Sequence, residues 1–291
     1  MTPTTRFTPA VMVDRGWEWD ETLYAGVAAY YRCGRLPHPP GVVRAVREAL
    51  GLDGAGHLLD IGCGPGSFTL VVAPLFDQVV GIDADAGMIA VAAEVGQRAG
   101  VANVVWRQLR AERLPADLGR FRVVTLAQSF HWLNRPRVAA AVHGMLEAGG
   151  RVHVQATTHR GVDRPEPLPH PRPPRAAIET LIRSYLGSLR RAGRGVLPAG
   201  TPTDEDEVFR AAGFVGPARI EVPGEVFERT EDEIVASVFS LSSAAPHLFG
   251  ARQAGFEADL RALLRGTSPA GRFSEQMREV ALDLWRPRSI R

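Results

Sequence analysis

The sequence predicts an α/β fold, a mostly parallel sheet with helices on both faces, and three observations carry that expectation. Short apolar runs of strand length recur at residues 57–61, 78–82 and 122–127, each followed by a stretch with helical periodicity. The first run ends in an acid, Asp60, and then in glycines at alternate positions, Gly62, Gly64 and Gly66, before a helix opens. That order reads as strand, tight loop, helix, with a backbone that a ligand can approach closely and free N–H groups facing it. The second run ends in Asp83. In a βαβ nucleotide unit, an acid at that point accepts both hydroxyls of a ribose.

Composition narrows the class. A chain of 291 residues suits one large α/β domain with insertions or two small domains, and 45% apolar with 23% charged residues is ordinary for a soluble globular protein. Disorder and fibres are excluded. The formal net charge is +2, and the arginines are scattered without a concentrated basic run, so nothing supports a nucleic-acid partner. Cys33 and Cys63 are the only cysteines, which argues against a disulfide framework and for a reducing compartment. No apolar run reaches membrane-span length and no secretion signal opens the chain, so a cytoplasmic protein without a membrane partner is expected. The preference for Arg, Ala, Gly and Pro resembles that of a GC-rich bacterial genome.

Taken in order, residues 1–20 are polar and read as a loose arm. Helical patterns span 21–33, stopped by Pro37, Pro39 and Pro40, and 41–50, with Val42, Val43, Val46 and Leu50 on one stripe. The first strand, 57–61, leads into a helix over 67–73. The second strand, 78–82, is followed by a helix over 86–99 with a core stripe of Met88, Val91, Ala92 and Val95. A third strand covers 103–107 and a fourth 122–127. A helix over 137–146 is stopped by Gly149 and Gly150, and a fifth strand covers 151–156. Residues 157–175 hold six prolines and read as a long irregular loop of the kind that serves as a lid, continued by a helix over 176–192. His153, His159 and His170 cluster nearby without any zinc or iron ligand spacing, so no metal is expected. Asp204, Glu205 and Asp206 open a helix that Gly213 ends, and 214–226 supplies a sixth strand. Thr230 and Glu233 form a capping-box pattern ahead of a helix to Leu241, a further helix covers 246–266, and 280–285 is the seventh strand.

Glycine spacing separates two cofactors. A dinucleotide fingerprint, G-x-G-x-x-G, needs glycine at position 67, where this chain has Ser67. The segment Asp60-Ile61-Gly62-Cys63-Gly64-Pro65-Gly66 instead resembles the first motif of the class I S-adenosylmethionine (SAM) dependent methyltransferases. Over residues 28–156 the likeness is to their type 11 and trans-aconitate methyltransferase-like members. It implies a Rossmann-like, seven-stranded, mostly parallel sheet whose last strand lies antiparallel beside the fifth, with a helical cap. The implied organisation is an arm and cofactor-covering helix (1–40), a SAM-binding core (41–156), a lid (157–200), and a C-terminal part of the sheet (201–291) with a cap insertion at 231–266.

The resemblance also implies a site. Tyr31 and Arg35 close over the cofactor; Asp60, Gly62, Cys63, Gly64 and Gly66 form the loop beneath it; Asp83 takes the ribose, with Ala84 and Met88 on the adenine side. Ala111-Glu112-Arg113-Leu114-Pro115 resembles the family's adenine-contacting turn, which brings in Ala111 and Glu112. Gln128 and Ser129 end the fourth strand, with Gln128 beside the methionine part. Phe130, His131 and Trp132 follow as a substrate pocket, and His131 is the one candidate for a catalytic base, since imidazole titrates near neutral pH. Phe130, Trp132, Phe239 and Phe249 suggest a largely apolar acceptor. The implied activity is methyl transfer from SAM, with S-adenosylhomocysteine as product, to an O, N, S or C nucleophile of a small organic molecule. A non-catalytic SAM-binding protein and an NAD-dependent oxidoreductase are the alternatives; the acceptor, its atom, the pathway and the oligomeric state stay open.

Overall fold

Five segments of the first half of the chain pair in parallel as the spine of a seven-stranded sheet, in a computed structural model that describes residues 20–156, 161–162, 166–189, 191–192, 195–196 and 204–288. The elements are α1 (Ala28–Gly34), α2 (Pro40–Leu50), β1 (His57–Ile61), α3 (Thr69–Val72), β2 (Gln78–Asp83), α4 (Ala86–Arg98), β3 (Val104–Gln108), β4 (Phe121–Ala127), α5 (Arg135–Met145), β5 (Leu146–Ala156) and α6 (Arg175–Leu186). They continue with the short pair β6 (Arg191–Ala192) and β7 (Gly195–Val196), then α7 (Glu205–Ala211), β8 (Phe214–Val222), β9 (Val226–Thr230), α8 (Glu231–Phe239), α9 (Pro246–Phe249), α10 (Gln253–Thr267), β10 (Arg272–Gln276) and β11 (Val280–Pro287). The sheet order is β3-β2-β1-β4-β5-β11-β8, and β11 runs antiparallel to both β5 and β8. This is the expected Rossmann-like arrangement, with the last strand inserted beside the fifth.

Alternation along the strands explains why both faces are covered. Leu59 and Ile61 point to one side, where they meet Val138, Val142 and Met145 of α5; Leu58 points to the other, against Val42 and Val46 of α2. Phe209 of α7 lies between Phe130 and Trp285, ring centroids 4.7 and 5.1 Å away. Burial of each such ring contributes about 1.5–3 kcal/mol. A third apolar cluster, with Ile234, Phe239, Phe249, Phe256 and Leu260, belongs to α8, α9 and α10.

Several boundaries differ from the sequence reading, each for a local reason. The expected helix over 21–33 starts only at Ala28, because Gly26 adopts φ +75°. Pro74 turns the end of the helix after β1 into a single 3₁₀ turn. Gly149 and Gly150 are not a helix stop: α5 ends at Met145 and passes directly into β5, and the glycines sit where its register against β4 shifts. The helix expected over 176–192 ends at Leu186, followed by Gly187 at φ +87°. The sixth strand stops at Val222, and Gly250 breaks the helix expected over 246–266. A small antiparallel sheet of β9 and β10, absent from the sequence reading, brackets the cap helices. The arm at 1–19, the segments 157–160, 163–165 and 197–203, and His159 lie outside the described residues.

The junction between cap and N-terminal segment is unusually close. A Cβ on Gly34 would lie 2.4 Å from the carbonyl oxygen of Ala236 in α8. Arg229, 4% exposed, donates to the carbonyls of Cys33, Gly34 and Glu233 and pairs with Glu275 on β10 at 3.2 Å, and Glu275 also pairs with Arg175. Arg35 donates to the Ser240 carbonyl at 2.6 Å. Among the described residues no single helix is long and apolar enough to cross a membrane.

Candidate functional site

Strand order reverses between β1 and β4, and at such a switch point the loops leaving the two strands diverge and open a crevice at their carboxyl ends. A cleft enclosing about 1160 Å³ of empty space, part of it continuous with solvent, lies there. The glycine loop forms its floor. Gly62 and Cys63 donate backbone N–H groups to the Ile82 carbonyl at 2.8 and 3.0 Å, which folds the loop across to β2. Gly64 then donates to Asp83 Oδ2 at 2.8 Å while Asp85 N–H reaches Oδ1 at 2.9 Å. Gly62 has φ +68°, and a Cβ there would lie 2.4 Å from that of Ser129, so the tips of β1 and β4 touch only because the side chain is missing. A Cβ on Gly64 would meet nothing within 4 Å: it faces open space.

Of the residues singled out from sequence, Tyr31, Arg35, Asp60, Gly62, Cys63 and Gly64 line this cleft, as do Asp83, Ala84, Met88, Ala111, Glu112, Gln128, Ser129 and Trp132. Three do not. Gly66 faces away, where a Cβ would lie 2.7 Å from the indole of Trp106, so its glycine serves packing. Phe130 is buried in the stack with Phe209 and does not line the cleft. His131 is half-buried against the Trp132 ring, outside the cleft lining, because the 3₁₀ turn over Phe130–Trp132 aims alternate side chains differently. The sequence reading also missed Tyr24, Leu36, His38, Phe68, Leu109 and Leu133, which line the cleft. Tyr24 stands edge-on to Tyr31 and Trp132, centroids 6.5 and 6.1 Å away, and burial raises its phenol well above the usual value. No local pattern marks these residues, because they converge only in the fold.

The polar atoms of the cleft are incompletely paired. Asp60 accepts from the Thr69 hydroxyl through Oδ2, whereas its Oδ1 is buried without a partner. Arg35 stacks over Tyr31 at 4.6 Å, and its Nε and Nη1 are also buried without partners. Such groups cost about 1–3 kcal/mol each when left unmet. An unmet carboxyl oxygen and an unmet guanidinium edge lining one cleft match a ligand bearing both an ammonium and a carboxylate. Among the described residues no group of three or more His, Cys, Asp or Glu is arranged to hold a metal.

Burial pushes Asp60 up to about 7 and Asp83 up to about 6, the latter held down in part by the N–H groups of Asp85 and Gly64. The folded chain therefore keeps a proton on Asp60 that the unfolded chain loses near pH 4. The associated stability is full below that value and is lost as pH rises toward 7. His38 and His153, lowered by burial to about 4 and about 3, act in the opposite sense over the same range. Asp60→Asn removes one of the two raised carboxyls of the cleft, Asp83 being the other. Thermal unfolding at pH 4.5 and pH 7 is expected to show the variant gaining stability over wild type as pH rises, at about 1.4 kcal/mol per pH unit. An equal difference at both values would remove the buried carboxyl from the account.

Residues 58–150 match a family model described as a methyltransferase domain. An uncharacterized methyltransferase, YcgJ, of Bacillus subtilis is 35% identical over 96 residues, covering 33% of this chain and 38% of the relative. A ubiquinone biosynthesis O-methyltransferase of Pseudomonas aeruginosa is 36% identical over 112 residues, 38% of this chain and 47% of the relative. The chain thus spans under half the length of these relatives. Among solved structures, that of a [4+2]-cyclase, SpnF, superposes with a TM-score of 0.51 at 19% identity, covering 93% of this chain and 96% of that one. At that identity the likeness is one of fold.

Proposed function

We propose that residues 58–150, which match a methyltransferase-domain model, form a class I, SAM-dependent methyltransferase domain, and that the whole chain transfers a methyl group from SAM to an O, N, S or C nucleophile of a small organic molecule. One observation carries the reading: the unmet Asp60 Oδ1 and the unmet Arg35 guanidinium edge, both lining one cleft, suit the amino-acid end of this cofactor. Asp83 would hold the ribose hydroxyls, with Ala84, Met88, Ala111 and Glu112 around the adenine and Gln128 and Ser129 near the methionine part. Tyr31 on α1 and Arg35 just after it would cover it. When bound, SAM supplies a methyl group on a positively charged sulfur, so its transfer is a direct in-line displacement. The chain's contribution is then to orient the acceptor and exclude water, and such positioning can supply roughly 7–11 kcal/mol of the barrier.

A small acceptor is supported by the name of the ubiquinone-pathway relative. A bacterial, cytoplasmic setting fits the composition and the similarity to bacterial relatives. Gly66, Phe130 and His131 are left out of the proposed site, being turned away from the cleft.

Calorimetric titration with S-adenosylhomocysteine, with NAD as control, tests the reading. Micromolar binding of the first and none of the second is expected; no binding of either by a folded sample would sink it. Asp83→Ala should weaken binding by about 1–3 kcal/mol, or roughly 10–100-fold, through lost charge-assisted bonds to the ribose. Unchanged affinity in that variant would remove Asp83 from the ribose site.

A further inference from the structure

Building on the SAM reading, we infer that the wall of the cleft above β5 is the acceptor subsite, that the reacting group it takes is a neutral hydroxyl on an apolar, phenol-like body, and that His38 receives the hydroxyl's proton. Four cleft-lining residues meet at this end. Leu36 and Phe68 share one buried cluster with Ala127 packed against it, and the His38 ring stands edge-on to Phe68 at 5.3 Å. Ala127 is the register partner of Gln155 on β5, and the Gln155 side-chain amide lies 3.0 Å from His38 Nδ1.

Across the sheet, the ribose acid ends β2, the glycine loop leaves β1 and Gln128 follows β4. The β5 end is the part of the cleft that the cofactor's own partners leave over. It also differs in chemistry. Asp60 and Arg35 face the charged ends of the proposed cofactor, whereas Leu36, Phe68 and Ala127 carry no charge and burial holds His38 neutral, at about 4. A carboxylate acceptor would find no cation on this wall, and an ammonium acceptor no anion. A hydroxyl on an apolar body fits, and it has a proton to lose when its oxygen is alkylated.

His38 is placed to take that proton. Its Nδ1 is engaged by Gln155, while Nε2 meets no protein group among the described residues. Gln155 Oε1 is buried without a partner, and half a turn of the amide sets it against an Nδ1–H, which leaves Nε2 with a free lone pair. The acceptor oxygen forms its bond to the methyl carbon as the carbon–sulfur bond breaks, with that electron pair left on sulfur as a neutral thioether. The hydroxyl proton passes to Nε2 and then to solvent. His153 stands behind this wall, its ring 5.2 Å from that of Phe68, buried and neutral, so no second charge opposes the transfer.

The test uses wild-type protein loaded with S-adenosylhomocysteine and titrated calorimetrically with phenol, benzoate and benzylamine. Phenol should bind, with each charged probe weaker by about tenfold or more. His38→Asn, with an unfolding midpoint matching wild type, should weaken phenol binding about tenfold. With SAM in place of the product, its phenol-dependent release of S-adenosylhomocysteine should fall about 10²–10⁴-fold. Loaded wild type that ignores phenol, that prefers a charged probe, or that loses nothing on His38→Asn overturns this inference alone. Wild type that does not take S-adenosylhomocysteine overturns the cofactor reading and this inference with it.

Discussion

Gly34→Ala is expected to weaken S-adenosylhomocysteine binding about tenfold or more and to lower the unfolding midpoint by roughly 5 °C. The added Cβ would lie 2.4 Å from the Ala236 carbonyl oxygen, 2.5 Å from its carbon and 2.7 Å from the Ser237 nitrogen. All three are backbone atoms of α8, so no rotamer change relieves the overlap. The helices must part, and forced overpacking of this kind costs about 1–3 kcal/mol or more, at about 2–4 °C per kcal/mol for a chain approaching this size. In the proposed cofactor site binding would suffer because α1 carries Tyr31, and Arg35 follows at its end, tied to Ser240 just beyond α8. Calorimetric unfolding and titration of the one variant give both numbers. Loss of stability with unchanged affinity would separate the α1–α8 junction from the cofactor cover.

Arg229→Ala should cost still more, about 3 kcal/mol. Arg229 is 4% and Glu275 1% exposed, and removing one member of a buried pair leaves the other uncompensated, typically at about 3–5 kcal/mol. The lower end applies because Arg175 still reaches Glu275. Three carbonyls, of Cys33, Gly34 and Glu233, lose a donor at the same time. Denaturant unfolding measures the loss, and a change below about 1 kcal/mol would mean that water replaces the guanidinium without penalty.

The parallel half of the sheet was legible because its strands are buried on both faces and so read as unbroken apolar runs: β1, β2 and β4 fall within one residue of their expected limits. The glycine loop and Asp83 were legible because their geometry allows few residue types. The β9–β10 pair was not. Its residues Glu228, Arg229, Ser274 and Glu275 are polar, and two of them are buried only because each neutralises the other across the cap. Tyr24 and His38 escaped notice for a related reason. What commits them is their partners, Trp132 and Gln155, more than a hundred residues away. His131 shows the converse: a residue adjacent to a cleft-lining one in sequence, Trp132, need not share its direction.

Trp106, on the outermost strand β3, occupies the space that side chains would need at two separate glycines and lies within contact range of a third. A Cβ would come within 2.7 Å of its indole at Gly66 and at Gly81, and within 3.5 Å at Gly96. Those positions lie in the loop, on β2 and on α4, far apart in the chain but facing one ring. The indole thus couples distant positions: while it stands, a side chain at Gly66 or Gly81 is excluded, and a smaller residue at 106 would open the space at both, although Gly66, at φ +77°, would still favour glycine.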